Sequence, residues 1–456
     1  MLQGVKDQRQ IALKEPELKN LKVLYGIYIF FVFGTIIMPQ YFGLNIGYDL
    51  TCARMANLLF VVYMMLNPLI LSHFVKTTLR CEIFYPLFLY LIVAGYTMVF
   101  RVDVNAFFLV FLEAFLLFMM VYGIRYVIGY QRAVKWINGC AYFFGIYGLV
   151  EFACGQSLFL KFLRTVPTAV NNCYRSGHYR VMGPCGHPLG YGLVLLLLIA
   201  LASIDLEKDE VYLFKRPVLL VLLLLNVVLT GSRSTLGIAL AEVVVILVIS
   251  NRTNIKKSMF MLMCFIVLLG IFLLLFYKTG IGRYILMQIT SVMDQVFGTE
   301  WAGNFGADVT RLQNSESYRK HLPEIFKLDW LNPFIGRGVK RGFGAEINGV
   351  YIHSIDNYFV AQYIKYAYPG LISYVLFMVT TLVVMVKSIV RYKSALCKLL
   401  LVATVCYYVN LWWLDALQTL KYEYIIIALF FAFVLQKKDD SREMNVHSVA
   451  GGNEIG

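Results

Sequence analysis

The chain has 456 residues, of which 59% are hydrophobic and 15% charged, with a mean hydropathy of +0.69. Soluble domains carry roughly 25% charged residues, so this composition excludes a large water-soluble core and describes a polytopic membrane protein. The formal charge of +14 would suggest a nucleic-acid partner in a soluble protein; in a membrane protein, cations in cytoplasmic loops explain it without one.

Residues 1–22 form a polar tail carrying Lys6, Arg9, Lys14, Lys19 and Lys22. The first apolar run follows it with no small-residue cleavage site, so no cleavable leader is expected. Apolar runs then lie near 23–38, 55–74, 83–100, 104–128, 134–153, 188–204, 217–230, 235–250, 258–277, 369–386, 396–414 and 422–435. The expectation is therefore an all-α protein of about twelve transmembrane helices. A crossing helix needs about 20 residues, so the shorter runs must borrow flanking ones.

The cations set the sidedness. With the N-terminus inside, the cytoplasmic segments hold 23 of the 41 Lys and Arg residues, and the short outer turns hold only Arg54, Arg101, Arg233 and Lys421. Short cation-rich loops resist translocation, which predicts both termini inside. The expected divisions are a cytoplasmic tail (1–22), nine spans with an outer loop at 155–187 (23–277), and a large extracytoplasmic loop (278–356). An interfacial segment with three more spans (357–435) and a cytoplasmic tail (436–456) complete the chain.

The loop 278–356 is the longest polar interval, and long ordered loops are usually functional. Acidic residues nearly balance its cations, so it is not a polybasic lipid-binding patch. It is expected to consist mostly of short helices, including an amphipathic one over 317–326 with apolar residues at 318, 322, 325 and 326. A sharp turn follows at Asn332-Pro333. The nine cysteines lie mostly in apolar segments without CxxC spacing, which argues against a zinc or redox site. Cys173 and Cys185 could pair in an oxidising exterior.

Three stretches carry chemistry. Arg233 lies between two apolar runs in Gly231-Ser232-Arg233-Ser234; it is either a ligand-binding cation at membrane depth or an arginine that snorkels to the headgroups. Arg180 opens a Gly- and Pro-dense approach to a span, Arg180-Val181-Met182-Gly183-Pro184. The nearby His178 and His187 have no metal-ligand spacing and read as ordinary loop residues. His353 and Asp356 are acid–base candidates: a neutral imidazole takes a proton from a hydroxyl, and a carboxylate can orient it. No DxD pattern lies outside, so metal-bound nucleotide-sugar chemistry is not expected, and no cofactor is.

Taken together these pieces resemble the O-antigen ligase and polymerase superfamily. The resemblance rests on the Gly231-Ser232-Arg233-Ser234-Thr235-Leu236 turn and on Arg180…Gly183…His187-Pro188. It continues with Arg319 ahead of Pro333-Phe334-Ile335-Gly336-Arg337-Gly338, then His353/Asp356-Asn357-Tyr358 leading to Tyr368-Pro369-Gly370-Leu371. It covers residues 180–375.

The resemblance implies a C-type, metal-independent inverting glycosyltransferase in the bacterial cytoplasmic membrane, with its site facing outside or the periplasm. Its donor would be a polyprenyl-diphosphate-linked oligosaccharide, and a second such glycan would be the acceptor. Membrane lipid, a chain-length regulator and a flippase are the other implied partners. Arg233, Arg319 and Arg180 would hold the diphosphate, and either His353 or Asp356 would be the base. The Asp356-Asn357 wording favours polymerisation of capsule, exopolysaccharide or O-antigen units over ligation. A flippase of lipid-linked glycans is the rival from another class; it calls for intramembrane charges at matching places in two halves. Glu113, Glu151 and Glu242 are intramembrane, but the halves do not match and the polar mass is one-sided.

Overall fold

The computed structural model describes residues 17–39, 41–45, 49–161, 173–175, 177–308, 310, 317–352 and 354–451. Its helices are α1 (Glu17–Ile36), α2 (Cys52–Met65), α3 (Pro68–Leu79), α4 (Phe84–Arg101), α5 (Val104–Gly123) and α6 (Tyr130–Cys154). They continue as α7 (Pro188–Ala202), α8 (Pro217–Leu229), α9 (Arg233–Ile249), α10 (Arg252–Phe276) and α11 (Gly280–Phe297). The last three are α12 (Tyr358–Tyr392), α13 (Ala395–Asn410) and α14 (Leu420–Gly451). Short antiparallel hairpins punctuate the connections.

Every apolar run falls on a helix, but the helices differ in length. Five are long and apolar enough to cross a membrane: α4, α5 with its π-helical extension to Ile128, α6, α10 and α12. The pair α2–α3 makes a sixth if counted as one broken span; it bends by 117° where Pro68 opens α3 and cannot continue the ladder of α2. Lys22–Ile36, α7, α8 and α13 are apolar but shorter.

The packing explains how a short helix can be fully apolar. α7 is buried nearly all round, as is the stretch 420–435 of α14, and a helix hydrophobic on every side belongs in a core. α13 and α8 pack on α7, α5 packs on α14, and α12 packs on α4. α10 is the opposite case: its apolar window has 0% of its residues buried, so its surface is left for lipid.

α14 separates two ends of the bundle. Near its start Lys421 Nζ donates to Met38 O at 2.9 Å. At the other end Asp439 bonds both Arg80 and Arg125, the latter at 3.2 Å, and Lys438 bonds Glu82 at 2.7 Å. Eighteen residues of helix put about 27 Å between these anchors.

The loop 278–356 differs from the expectation of mostly short helices. It opens with α11, an amphipathic helix of 18 residues, and closes with a β-hairpin pairing Ala345–Ile347 with Val350–Ile352. The hairpin turns on Asn348 (φ 51°) and Gly349 (φ 76°). An Asn-Gly pair between alternating residues is a strong short-range hairpin signal, overlooked in the helical reading. The 317–326 stretch is helical only as far as Pro323 allows, tightening into a 3₁₀ turn over Leu322–Lys327.

Candidate functional site

At the end of the bundle where α14 begins, the Arg180 loop is tied down by a carboxylate. Glu151, wholly buried in α6, accepts from the Tyr179 hydroxyl at 2.7 Å and from the Met182 and Gly183 amides at 2.9 and 3.0 Å. The loop is thereby laid against the end of α8, where the Val181 amide donates to Leu229 O. Arg180, itself 6% exposed, directs Nε to Thr230 O at 2.7 Å. A Cβ on Gly231 would lie 3.0 Å from that Nε, and Gly231 has φ 60°, so glycine serves both close approach and backbone conformation there. Arg180 and the Gly231 turn, far apart in sequence, therefore form one packed unit.

Arg233 begins α9, with Ser232 as the N-cap. It lies in the field of Asp294 on α11. Burial pulls the Asp294 carboxyl up, but bonds from Thr299 and from the Ala302 and Trp301 amides outweigh it, and Arg233 adds to them, leaving it below the ordinary carboxylate range.

Arg319 and Asp356 form an ion pair at 3.4 Å, with both side chains partly exposed. Ser354 Oγ lies 3.3 Å from the other Asp356 oxygen. The Tyr318 hydroxyl accepts from the Ser354 amide at 2.9 Å and donates to its carbonyl. Asn357 then caps α12 through the Val360 amide and donates to Trp412 O at 2.9 Å. The proposed arginine and carboxylate thus meet beside the start of α12. His353 lies outside the described residues.

The stretch Pro333–Gly338 has a structural task. α12 is broken at Ala367, whose φ of 55° and ψ of −165° lie near a region almost reserved for glycine. The first arm of the helix therefore ends with free carbonyls, which need partners when buried. The Arg337 amide donates to Ile364 O at 2.8 Å, the Gly338 amide to Lys365 O at 3.0 Å, and Tyr368 N to Pro333 O at 3.1 Å. A Cβ on Gly336 would overlap the Lys365 carbonyl. From the other side Arg101 donates to Gly336 O (2.6 Å) and Ile335 O (3.0 Å), and Asp103 accepts from the Val339 and Lys340 amides. The turn clamps the break in α12 to the α4–α5 connection. Arg337 stacks on Trp330 and is part of this clamp.

Beside the break lies a cavity of about 720 Å³, within the usual size range of ligand pockets. Its charged lining is Arg54, Glu113, Lys365 and Asp415; Tyr90, Tyr358, Tyr366, Asn105, Gln362 and His187 also face it. Lys365 and Arg54 attract the Glu113 carboxylate and Asp415 repels it. Tyr90 donates to Gln362 at 2.6 Å and Tyr366 to Ala106 O at 2.8 Å, which fixes two of the aromatic walls. The sequence marks Arg54 as a turn cation and Glu113 as an intramembrane acid, and Lys365 stands near the start of the interfacial segment. Sequence alone does not join them, because α2, α5 and α12 meet only in the bundle.

His187 lines the cavity and lies in the fields of Arg180 and Asp356. Its Nδ1 accepts from the Leu189 amide at 3.1 Å, capping α7, a bond that requires Nδ1 unprotonated. Burial, then the field of Arg180, push its pKa down to about 4 against the pull of Asp356. It stands in the site as a neutral imidazole. Cys173 and Cys185 are both free, buried thiols. Among the described residues no group of three or more His, Cys, Asp or Glu could hold a metal ion.

Fold and site together define a membrane-embedded helical protein with a charged cavity at one end. Compared with family models, curated proteins and solved structures, the chain matches none.

Proposed function

We propose that the protein is a polysaccharide polymerase of the bacterial cytoplasmic membrane, a C-type glycosyltransferase related to the O-antigen ligases and polymerases. In this reading the twelve apolar runs all span, both termini lie inside, and the cavity opens outward. One observation carries it. A mixed cavity of cations, carboxylates, amides and tyrosines, suited to a charged glycan, adjoins the Arg180 loop and the Arg319–Asp356 pair through His187.

The reaction joins two lipid-linked units. An acceptor hydroxyl oxygen attacks the anomeric carbon of the donor from the face opposite the diphosphate. The bond from that carbon to the diphosphate oxygen breaks, and its electron pair leaves with the polyprenyl diphosphate. The hydroxyl proton passes to Asp356 or His353. Arg319 disengages from Asp356 toward the diphosphate, with Arg233 and Arg180 adding to the positive field; stabilising a charge that develops in the transition state is usually the largest catalytic term.

A second reading has its own support. A helix broken beside a cavity, with Glu113 and Lys365 lining it, is also the way transporters build a substrate site. Purified full-length protein supplied with lipid-linked repeat units in detergent separates the two. The polymerase extends them without a membrane to cross, and Asp356→Asn or His353→Ala, whichever removes the base, lowers turnover by roughly 10²–10⁴-fold. Absence of any extension, with translocation in vesicles, would establish the transporter instead.

A further inference from the structure

Two cations, Arg54 and Lys365, and two carboxylates, Glu113 and Asp415, meet at one cavity. Arg54 stands in the first turn of α2, placed by Thr51, whose hydroxyl accepts from the Arg54 amide at 3.4 Å. Lys365 stands in the last turn of the first arm of α12, where the helix dipole favours a cation. The two residues come from elements distant in sequence, and each is held by a dedicated local feature, the hairpin leading into α2 and the clamp on the α12 break. Both face Glu113, which is partly exposed to the cavity. Ionisable residues that face the interior of a membrane bundle serve function more often than packing.

A recess of about 50 Å³ adjoins the cavity and is lined by Arg54, Glu113, Asn57 and Lys421. It adds a second indication of a ligand. Asn57 is 3% exposed, and its Oδ1 has no hydrogen-bond partner among the described residues. A buried amide oxygen left unmatched costs free energy that a ligand hydroxyl or a water can recover.

We propose that Arg54 and Lys365 form an oxyanion-binding site, with Glu113 as the counter-ion they hold until the ligand arrives. Guanidinium and ammonium groups offer charge-assisted hydrogen bonds to carboxylate or phosphate oxygens, and the adjacent tyrosines and amides suit sugar rings and hydroxyls. The ligand class is an oxyanion attached to a glycan. Its source is either the diphosphate of the lipid carrier or the carboxylate of an acidic sugar. The inference deepens the polymerase reading and rests on it only for the glycan; oxyanion binding itself requires no turnover.

The test uses the full chain in nanodiscs, titrated with inorganic pyrophosphate, glucuronate and glucose, with the thermal unfolding midpoint as readout. At least one oxyanion is expected to raise the midpoint saturably and glucose to leave it unchanged. Pyrophosphate alone would assign the carrier, and glucuronate the sugar. Arg54→Gln and Lys365→Gln should each weaken that binding by about tenfold or more, the scale of one charge-assisted bond. Arg54→Lys and Lys365→Arg should retain most of it. Glu113→Gln should tighten binding, because it removes the competing carboxylate; a merely structural role for Glu113 does not predict a gain. Protection by glucose equal to that by the oxyanions, protection by none of the three, or oxyanion affinity indifferent to all three charge changes would overturn the proposal. Failure of the polymerase reading shows separately, as absence of chain extension with oxyanion binding intact.

Discussion

Arg180 and Arg319 satisfy the same sequence rule, an arginine ahead of a glycine-rich stretch on the approach to a span, and the bundle treats them in opposite ways. Arg180 is buried, with its Nε committed to the Thr230 carbonyl and its loop held by three bonds to Glu151. Arg319 is partly exposed and meets a single carboxylate, Asp356, at 3.4 Å. The first arginine is built into the wall, where its charge acts as a fixed field on neighbours such as His187. The second, in the proposed reaction, exchanges Asp356 for the donor diphosphate. Position in a motif therefore does not tell a buried, committed arginine from a partly exposed one; packing and the identity of the partner do.

The widest separation between the two should come from Glu151. Glu151→Leu removes the acceptor of three buried donors and should destabilise this end of the protein by about 3 kcal/mol or more, read as a lowered unfolding midpoint in detergent. Glu151→Gln should do less, since an amide oxygen still accepts. An unchanged midpoint in the leucine variant would mean the loop is held elsewhere, and the contrast with Arg319 would collapse.

Arg319→Ala should show the reverse profile. The fold should stay near wild type, because a partly exposed pair contributes about 0–1 kcal/mol. Chain extension should fall by roughly 10²–10³-fold, the usual loss on removing a group that stabilises transition-state charge. Arg319→Lys should recover little, since a point charge lacks the planar fork. Normal extension by both variants would reduce Arg319 to a surface cation.

The mildest effect belongs to His187, which lies between the two. Its folded pKa, about 4, is below the ordinary histidine value of about 6.5. A depressed histidine favours the neutral form in the folded state, so its contribution to stability is complete above about pH 6.5 and is lost as pH falls toward 4. The unfolding midpoint should therefore decline across that window, and His187→Asn should flatten the decline while keeping a cap for α7. It also follows that a fall in turnover near pH 6.5 cannot arise from His187. Such a fall would have to come from another group, with His353 the first to substitute.

The sequence by itself determined the membrane character and the place of the apolar helices, but not α11 or the bend between α2 and α3. Apolar runs longer than any soluble strand or loop leave no other option, since an unpaired backbone cannot lie in hydrocarbon. It also brought Arg180, the Gly231 turn, Arg319 and Asp356 forward as polar residues beside spans, and all of them lie in the described structure. What it left ambiguous was the purpose of Pro333–Gly338, which reads as a site motif and acts as a clamp on a broken helix. Only the tertiary structure decided that the helix breaks at Ala367 and that Lys365 thereby faces Arg54 and Glu113 across one cavity. The physical reason is range. Hydropathy and turn chemistry act over a few residues and are legible along the chain, whereas a cavity is made by side chains from α2, α5 and α12 whose proximity depends on how the bundle packs.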